Sequence, residues 1–140
     1  CTLTDKSFEA LSVARENMKA LNLKNSVLIL HDWNKRWLFE PMDLIISNPP
    51  YIYRNDLSGD EDGIWFEPPS ALFSEKKGLA DINTIIKNSV TFLKKNGKLL
   101  LEHGFDQKDP INEMANQNDY SDVSFLKDLN GKWRVACLTK

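Results

Sequence analysis

A mostly parallel α/β sheet closed by an antiparallel hairpin is predicted for this chain, and three observations predict it. The runs Val27-Leu28-Ile29-Leu30 and Asp43-Leu44-Ile45-Ile46-Ser47 are β-rich and continuous, as in strands buried on both faces. Stretches with apolar residues at helical spacing alternate with such runs, the arrangement of a parallel sheet covered by helices. Asn130-Gly131 stands between two further strand-like runs and is a strong hairpin signal.

Each element has its own reason. Thr2-Leu3-Thr4 is a short strand stub that stops at Asp5. Ser7 is a plain N-cap for a helix whose apolar face is Phe8, Leu11, Ala14, Met18 and Leu21; Ala10 rather than Glu occupies the capping-box position. Residues 22–25 end that helix and lead into the Val27 strand. The strand over 43–47 is stopped by Asn48-Pro49-Pro50. Residues 51–77 carry four acidic residues between positions 56 and 62, two glycines and Pro68-Pro69, and read as one long surface loop. Leu79, Ile82, Ile85, Ile86, Val90 and Leu93 form the apolar stripe of a helix, with Gly97 as its C-cap. A third buried strand follows at 98–103. Residues 107–118 read as a helix with Pro110 in its first turn. Strands at 123–126 and 133–138 close the chain, which predicts one antiparallel edge strand.

Composition narrows the function. At 140 residues there is room for one domain, and 41% apolar content fills a core. A formal charge of −2 supplies no basic field for nucleic acid. The longest apolar runs are about four residues, too short for a transmembrane helix. Two cysteines, Cys1 and Cys137, make no disulfide framework and no zinc set, as in proteins of a reduced, cytoplasmic compartment. His31 and His103 have no carboxylate or cysteine at ligand spacing and read as packing or hydrogen-bonding residues.

The candidate chemistry lies where strands end, because open α/β sheets bind ligands beyond the carboxyl ends of their strands. Asn48-Pro49-Pro50-Tyr51 is the most informative segment. Each proline fixes its own φ and holds the preceding residue extended, and neither has an N–H to enter a sheet ladder. The Asn48 side-chain oxygen and the Pro49 carbonyl are thus free to accept from one planar –NH₂ group, with Tyr51 stacked on its plane. Such a clamp aims a poorly nucleophilic amide nitrogen at an electrophile. The alternative is a simple turn after a strand. Asp5, at the first strand's end, suits ribose hydroxyls or else the N-terminus of the next helix. Asp32 and Trp33 suit an adenine amino group and ring face, or ordinary packing.

Asp5, Ser12-Val13-Ala14-Arg15-Glu16-Asn17, Asp32-Trp33 and Ile45-Ile46-Ser47-Asn48-Pro49-Pro50-Tyr51-Ile52 together resemble the HemK/PrmC glutamine methyltransferases. Phe66-Glu67-Pro68, Ala71-Leu72, Ala80-Asp81-Ile82, residues 99–104 and Gln107 continue the likeness along essentially the whole chain. Asn-Pro-Pro-Tyr occurs also in nucleic-acid amino-methyltransferases; Phe66-Glu67-Pro68 and Glu102-His103-Gly104 single out this family. The resemblance implies a class I, Rossmann-like S-adenosylmethionine-dependent fold. It also implies methyl transfer to the glutamine amide in the Gly-Gly-Gln loop of class-1 peptide release factors, in bacterial cytoplasm or an organelle. On that likeness Asp5 holds the ribose, Asp32 and Trp33 flank the adenine, and Asn48 touches cofactor and glutamine. Pro49, Pro50 and Tyr51 complete the clamp, and Glu67 shapes the substrate loop or caps local backbone.

Two departures stand out. Trp65 occupies a place where relatives often carry arginine. The family's glycine-rich cofactor loop and the strand before it would precede Cys1, so residues 1–140 are expected to be the C-terminal portion of a catalytic domain, or a decayed remnant of one, and to bind cofactor poorly alone. The competing readings are an adenine or cytosine amino-methyltransferase of nucleic acid, and an inactive piece that serves as a binding module. Asp60-Glu61-Asp62 reads as a solvated turn or as a contact for a basic partner.

Overall fold

The computed structural model describes residues 1–56 and 66–140, so Trp65 and Asp60-Glu61-Asp62 lie outside the described residues. The chain divides into two compact units, Cys1–Trp37 and Leu38–Lys140.

The first unit contains β1 (Thr2–Asp5), α1 (Phe8–Ala20) and β2 (Val27–Leu30). β1 and β2 run parallel, from Thr2 opposite Val27 to Asp5 opposite Leu30. α1 begins where expected: Ser7 is extended and its Oγ accepts from the Ala10 N–H at 3.1 Å. Leu11 is the buried residue of this unit. The expectation of two-sided burial for β2 does not hold, since Val27 is 58% and Leu30 60% exposed. Among the described residues of this unit, β2 pairs with β1 alone. Its apolar run meets too few neighbours within the unit to be covered.

The second unit contains β3 (Met42–Ser47), a 3-10 turn (Arg54–Asp56), α2 (Pro69–Leu72), α3 (Glu75–Gly78), α4 (Ala80–Phe92), β4 (Leu93–Glu102), α5 (Lys108–Asn116), β5 (Asp122–Lys127) and β6 (Trp133–Thr139). The sheet order is β3-β4-β6-β5, with β3 parallel to β4 and β6 antiparallel to both of its neighbours. The antiparallel strand is therefore interior rather than at the edge. β6 buries Ala136 and Leu138 completely, whereas β5 alternates exposed and half-buried positions, so the more apolar strand of the hairpin takes the inner place. Among the described residues of this unit β3 stands at the edge of the sheet, with Leu44 47% and Ile46 71% exposed, which again departs from two-sided burial.

Ile82, Ile85, Ile86 and Val90 of α4 supply one wall of the core, against Leu99 and Leu101 of β4, Ala136 and Leu138 of β6, and Ile111 and Ala115 of α5. Ser89 sits among them without penalty because its Oγ donates to the Ile85 carbonyl at 2.6 Å and lies 2.7 Å from the Tyr120 hydroxyl. That hydroxyl also reaches the Ile86 carbonyl at 3.1 Å, and burial pushes its pKa up to about 12.

α4 ends at Phe92 with Leu93 extended, so Gly97 is not its C-cap. Gly97 lies within β4, where a Cβ would stand 2.9 Å from the Lys94 carbonyl oxygen and 3.0 Å from that of Met42. Close backbone approach, rather than helix termination, explains the glycine. Nor are residues 51–77 one featureless loop. Ile52 bridges Phe73 in parallel, and α2 and α3 shape the approach to α4. Among the described residues no helix is long and apolar enough to cross a membrane.

Candidate active site

Ser47 pairs with Leu101, so β3 and β4 end side by side. Asn48 leaves β3 exposed, Pro49 and Pro50 are buried behind it, and Tyr51 is half-buried. With no N–H on either proline, the segment is anchored through Tyr51 and Ile52 instead. The Tyr51 hydroxyl donates to Glu102 Oε1 at 2.9 Å, and its carbonyl accepts from Gln107 Nε2 at 3.0 Å. Burial, with the Glu102 carboxylate beside it, raises the Tyr51 pKa, so the phenol keeps the proton it donates. Beyond it, the Ile52 N–H donates to the Leu72 carbonyl and the Ile52 carbonyl accepts from Ser74, both at 3.0 Å.

Glu102 opens the exit of β4. His103 is fully buried, its Nδ1–H donates to the Gly104 carbonyl at 2.7 Å, and its ring stands edge-on to Phe125 with centroids 5.7 Å apart. Burial depresses its pKa, so the ring is neutral, and its Nε2 has no hydrogen-bond partner among the described residues. The Gly104 N–H donates to Gln107 Oε1 at 2.8 Å, and Gln107 Nε2 also reaches the Lys77 carbonyl at 3.1 Å. Lys76, Lys77 and Gly78 are consecutively left-handed, with φ of 53°, 59° and 77°. Each non-glycine residue held there costs about 1–2 kcal/mol, strain of a kind that gathers near functional segments. Glu67 is exposed in a bend and takes no part in these bonds.

In the first unit, Asp5 and Asp32 stand at the carboxyl ends of two adjacent parallel strands. Asp5 Oδ1 accepts from the Ser7 N–H at 2.8 Å, ordering the entry to α1. Asp32 Oδ1 accepts from the Asn34 backbone N–H at 2.9 Å and from its side-chain amide at 3.2 Å. The Asn34 N–H is the main reason the Asp32 carboxyl sits below the usual range. Both carboxylates keep Oδ2 outside these bonds, which suits hydroxyl or amino donors such as those of a nucleoside. Trp33 is half-buried, and its carbonyl accepts from Trp37 Nε1 at 3.0 Å.

The second unit thus brings Asn48, Pro49, Pro50 and Tyr51 to the exits of β3 and β4, and the first brings Asp5, Asp32 and Trp33 to the exits of β1 and β2. Sequence reasoning missed the joint made by Glu102, Gln107 and the left-handed turn. Its partners lie 30 to 56 positions apart, and no local pattern announces them. Among the described residues no cluster of His, Cys, Asp and Glu could hold a metal ion.

Residues 1–61 match the methyltransferase small domain family. The chain is 37% identical over 132 residues to a release factor glutamine methyltransferase from Buchnera aphidicola, covering 94% of this chain and 47% of that protein. It is 35% identical over 136 residues to one from Salmonella typhimurium, covering 97% and 49%. The chain therefore spans about half the length of the curated relatives it matches. A methyltransferase from Pyrococcus furiosus shares its fold with a TM-score of 0.71 at 22% identity, over 99% of this chain and 60% of that one. A putative methyltransferase from Streptococcus mutans in complex with SAH superposes with a TM-score of 0.62 at 23% identity, over 99% and 74%. The fold is thus shared with these methyltransferases: a parallel β1-β2 pair in the first unit, and in the second a four-stranded sheet with only β6 running against the rest.

Proposed function

From the homology of this chain to the release factor glutamine methyltransferases, we propose that it is the C-terminal portion of an enzyme that methylates the side-chain amide of the Gly-Gly-Gln glutamine in class-1 release factors. The supporting observation is the lip beyond β3, with Asn48 open to solvent, two prolines buried behind it and Tyr51 tied at both ends. The Asn48 side-chain oxygen and the Pro49 carbonyl accept the two amide protons, and the Tyr51 ring covers the amide plane. Accepting both protons feeds electron density to the nitrogen and turns its lone pair toward the methyl group. S-adenosylmethionine, when bound, would supply an electrophilic sulfonium methyl to the nitrogen that this lip holds in place.

Asp5 would hold the ribose of S-adenosylmethionine, and Asp32 and Trp33 would serve the adenine amino group and ring. Asn48 would serve the methyl donor as well as the glutamine, and Glu67 would contact the substrate loop. The setting is the bacterial cytoplasm or an organelle matrix.

The test is transfer of labelled methyl to a release factor by the full-length protein that carries this chain. Asn48→Ala lowers kcat by about 10²–10³-fold, the scale of losing a preorganised polar contact to the reacting group. Equal rates for the two proteins would remove the clamp.

A further inference from the structure

We infer that Gln107 is the positioning residue of the amide clamp, one carboxamide that locks the Tyr51 carbonyl, the Lys77 carbonyl and the Gly104 N–H into a single joint; the inference rests on the function proposed above. Gln107 is 6% exposed at the N-cap of α5, yet its side chain makes no cap bond to that helix. Its hydrogen-bonding capacity is directed at the site instead. Nε2 donates to Tyr51 at 3.0 Å and to Lys77 at 3.1 Å, and Oε1 accepts from Gly104 at 2.8 Å. Two carbonyls on one side and an N–H on the other leave no choice in the amide orientation.

The need for such a residue arises from the motif itself. Pro49 and Pro50 cannot donate, so the segment that presents the clamp oxygens is held from its far side. Tyr51 supplies both handles. Its hydroxyl reaches Glu102 at the exit of β4, and its carbonyl reaches Gln107, which also grips Gly104 two residues past Glu102. Gly78 makes room for this joint, because a Cβ there would lie 1.9 Å from the Tyr51 carbonyl oxygen and 2.6 Å from Gln107 Nε2. The third bond steadies the carbonyl of left-handed Lys77, next to that glycine. No other side chain of this length offers two donors and an acceptor on one plane. Glutamate lacks the donors and asparagine the reach.

Gln107→Glu in the full-length protein keeps size and shape while facing two carbonyls with a carboxylate. The expected result is a fall in kcat of about 30–100-fold, the cost of a clamp displaced by a fraction of an ångström to one ångström, with KM for the release factor and Kd for S-adenosylmethionine within threefold. Hydrogen exchange gives a readout without activity: the Ile52 and Ser74 amides exchange faster, while those of Ile86 and Ile111 keep their protection. A merely structural role predicts uniform loss of protection and an unchanged kcat per folded molecule, and either result overturns the inference. If the single variant fails to fold, Gln107→Glu combined with Lys77→Gly, which relieves one left-handed strain, carries the same measurements. Should the wild-type protein not methylate a release factor, the function proposed above falls, and the exchange pattern still decides the role of Gln107.

Discussion

Gly78→Ala has a built-in control. Gly78 and Gly131 both have φ of 77°, but a Cβ at Gly131 meets nothing within 4 Å, whereas one at Gly78 meets the Tyr51 carbonyl oxygen at 1.9 Å and carbon at 2.7 Å. Alanine at either position bears the left-handed backbone cost, about 1–2 kcal/mol. At Gly78 the Tyr51 carbonyl must also retreat by about 1 Å in a close-packed region, an overpacking cost of about 1–3 kcal/mol. Gly131→Ala is therefore expected to destabilise by about 1–2 kcal/mol and Gly78→Ala by about 2–5 kcal/mol. Urea unfolding followed by circular dichroism measures both, and the difference isolates the clash from the dihedral. Methyl transfer discriminates further. Moving Tyr51 by that distance lowers kcat about 100-fold in Gly78→Ala, while Gly131→Ala leaves it intact. Equal stabilities for the two variants, or full activity in Gly78→Ala, would refute the claim that this glycine exists to let the Tyr51 carbonyl come close.

Two further outcomes are expected. Tyr120→Phe removes a buried hydroxyl bonded to Ser89 and Ile86 and lowers stability by about 1–2 kcal/mol in thermal melts, with Ser89 still held by Ile85; an unchanged melting temperature would show these bonds to be idle. His103 is buried neutral with a depressed pKa, so the unfolded chain binds the extra proton first and the contribution of this residue is complete only above the unfolded value of about 6.5. Stability is therefore lost as pH falls from 7.5 to 5.5, with a slope of at most about 1.4 kcal/mol per pH unit. In His103→Gln this slope flattens, and an identical slope in both proteins would place the titrating group elsewhere.

Local chemistry was legible where it acts locally. The Ser7 cap, the α4 stripe, Pro110 in the first turn of α5 and the Asn130-Gly131 turn each depend on a few neighbouring residues, and each stands at its expected position. The stop of β3 before Asn48-Pro49-Pro50 was legible for the same reason, since neither proline can donate to a sheet ladder. What failed depends on partners distant in sequence. Apolar runs marked β2 and β3 as strands, yet the exposure of Val27, Leu30, Leu44 and Ile46 depends on which neighbours cover them. The hairpin was found, but which strand lies inside depended on the competition between β5 and β6 for β4. Lys76 and Lys77 give no sign of left-handed backbone, because the bond that steadies Lys77 comes from a glutamine 30 positions away.

Within the second unit, the outer flank of β3 has a consequence for handling the molecule. Among the described residues of the second unit, β3 has a strand partner on one side only, and its other side borders Leu44 and Ile46, a surface onto which another extended chain can zip. Asp43, in an exposed ion pair with Lys94 at 2.8 Å, puts charge at only one end of that flank. Concentrated samples of these residues alone will tend to self-associate through it, more readily at high salt, where that charge is screened.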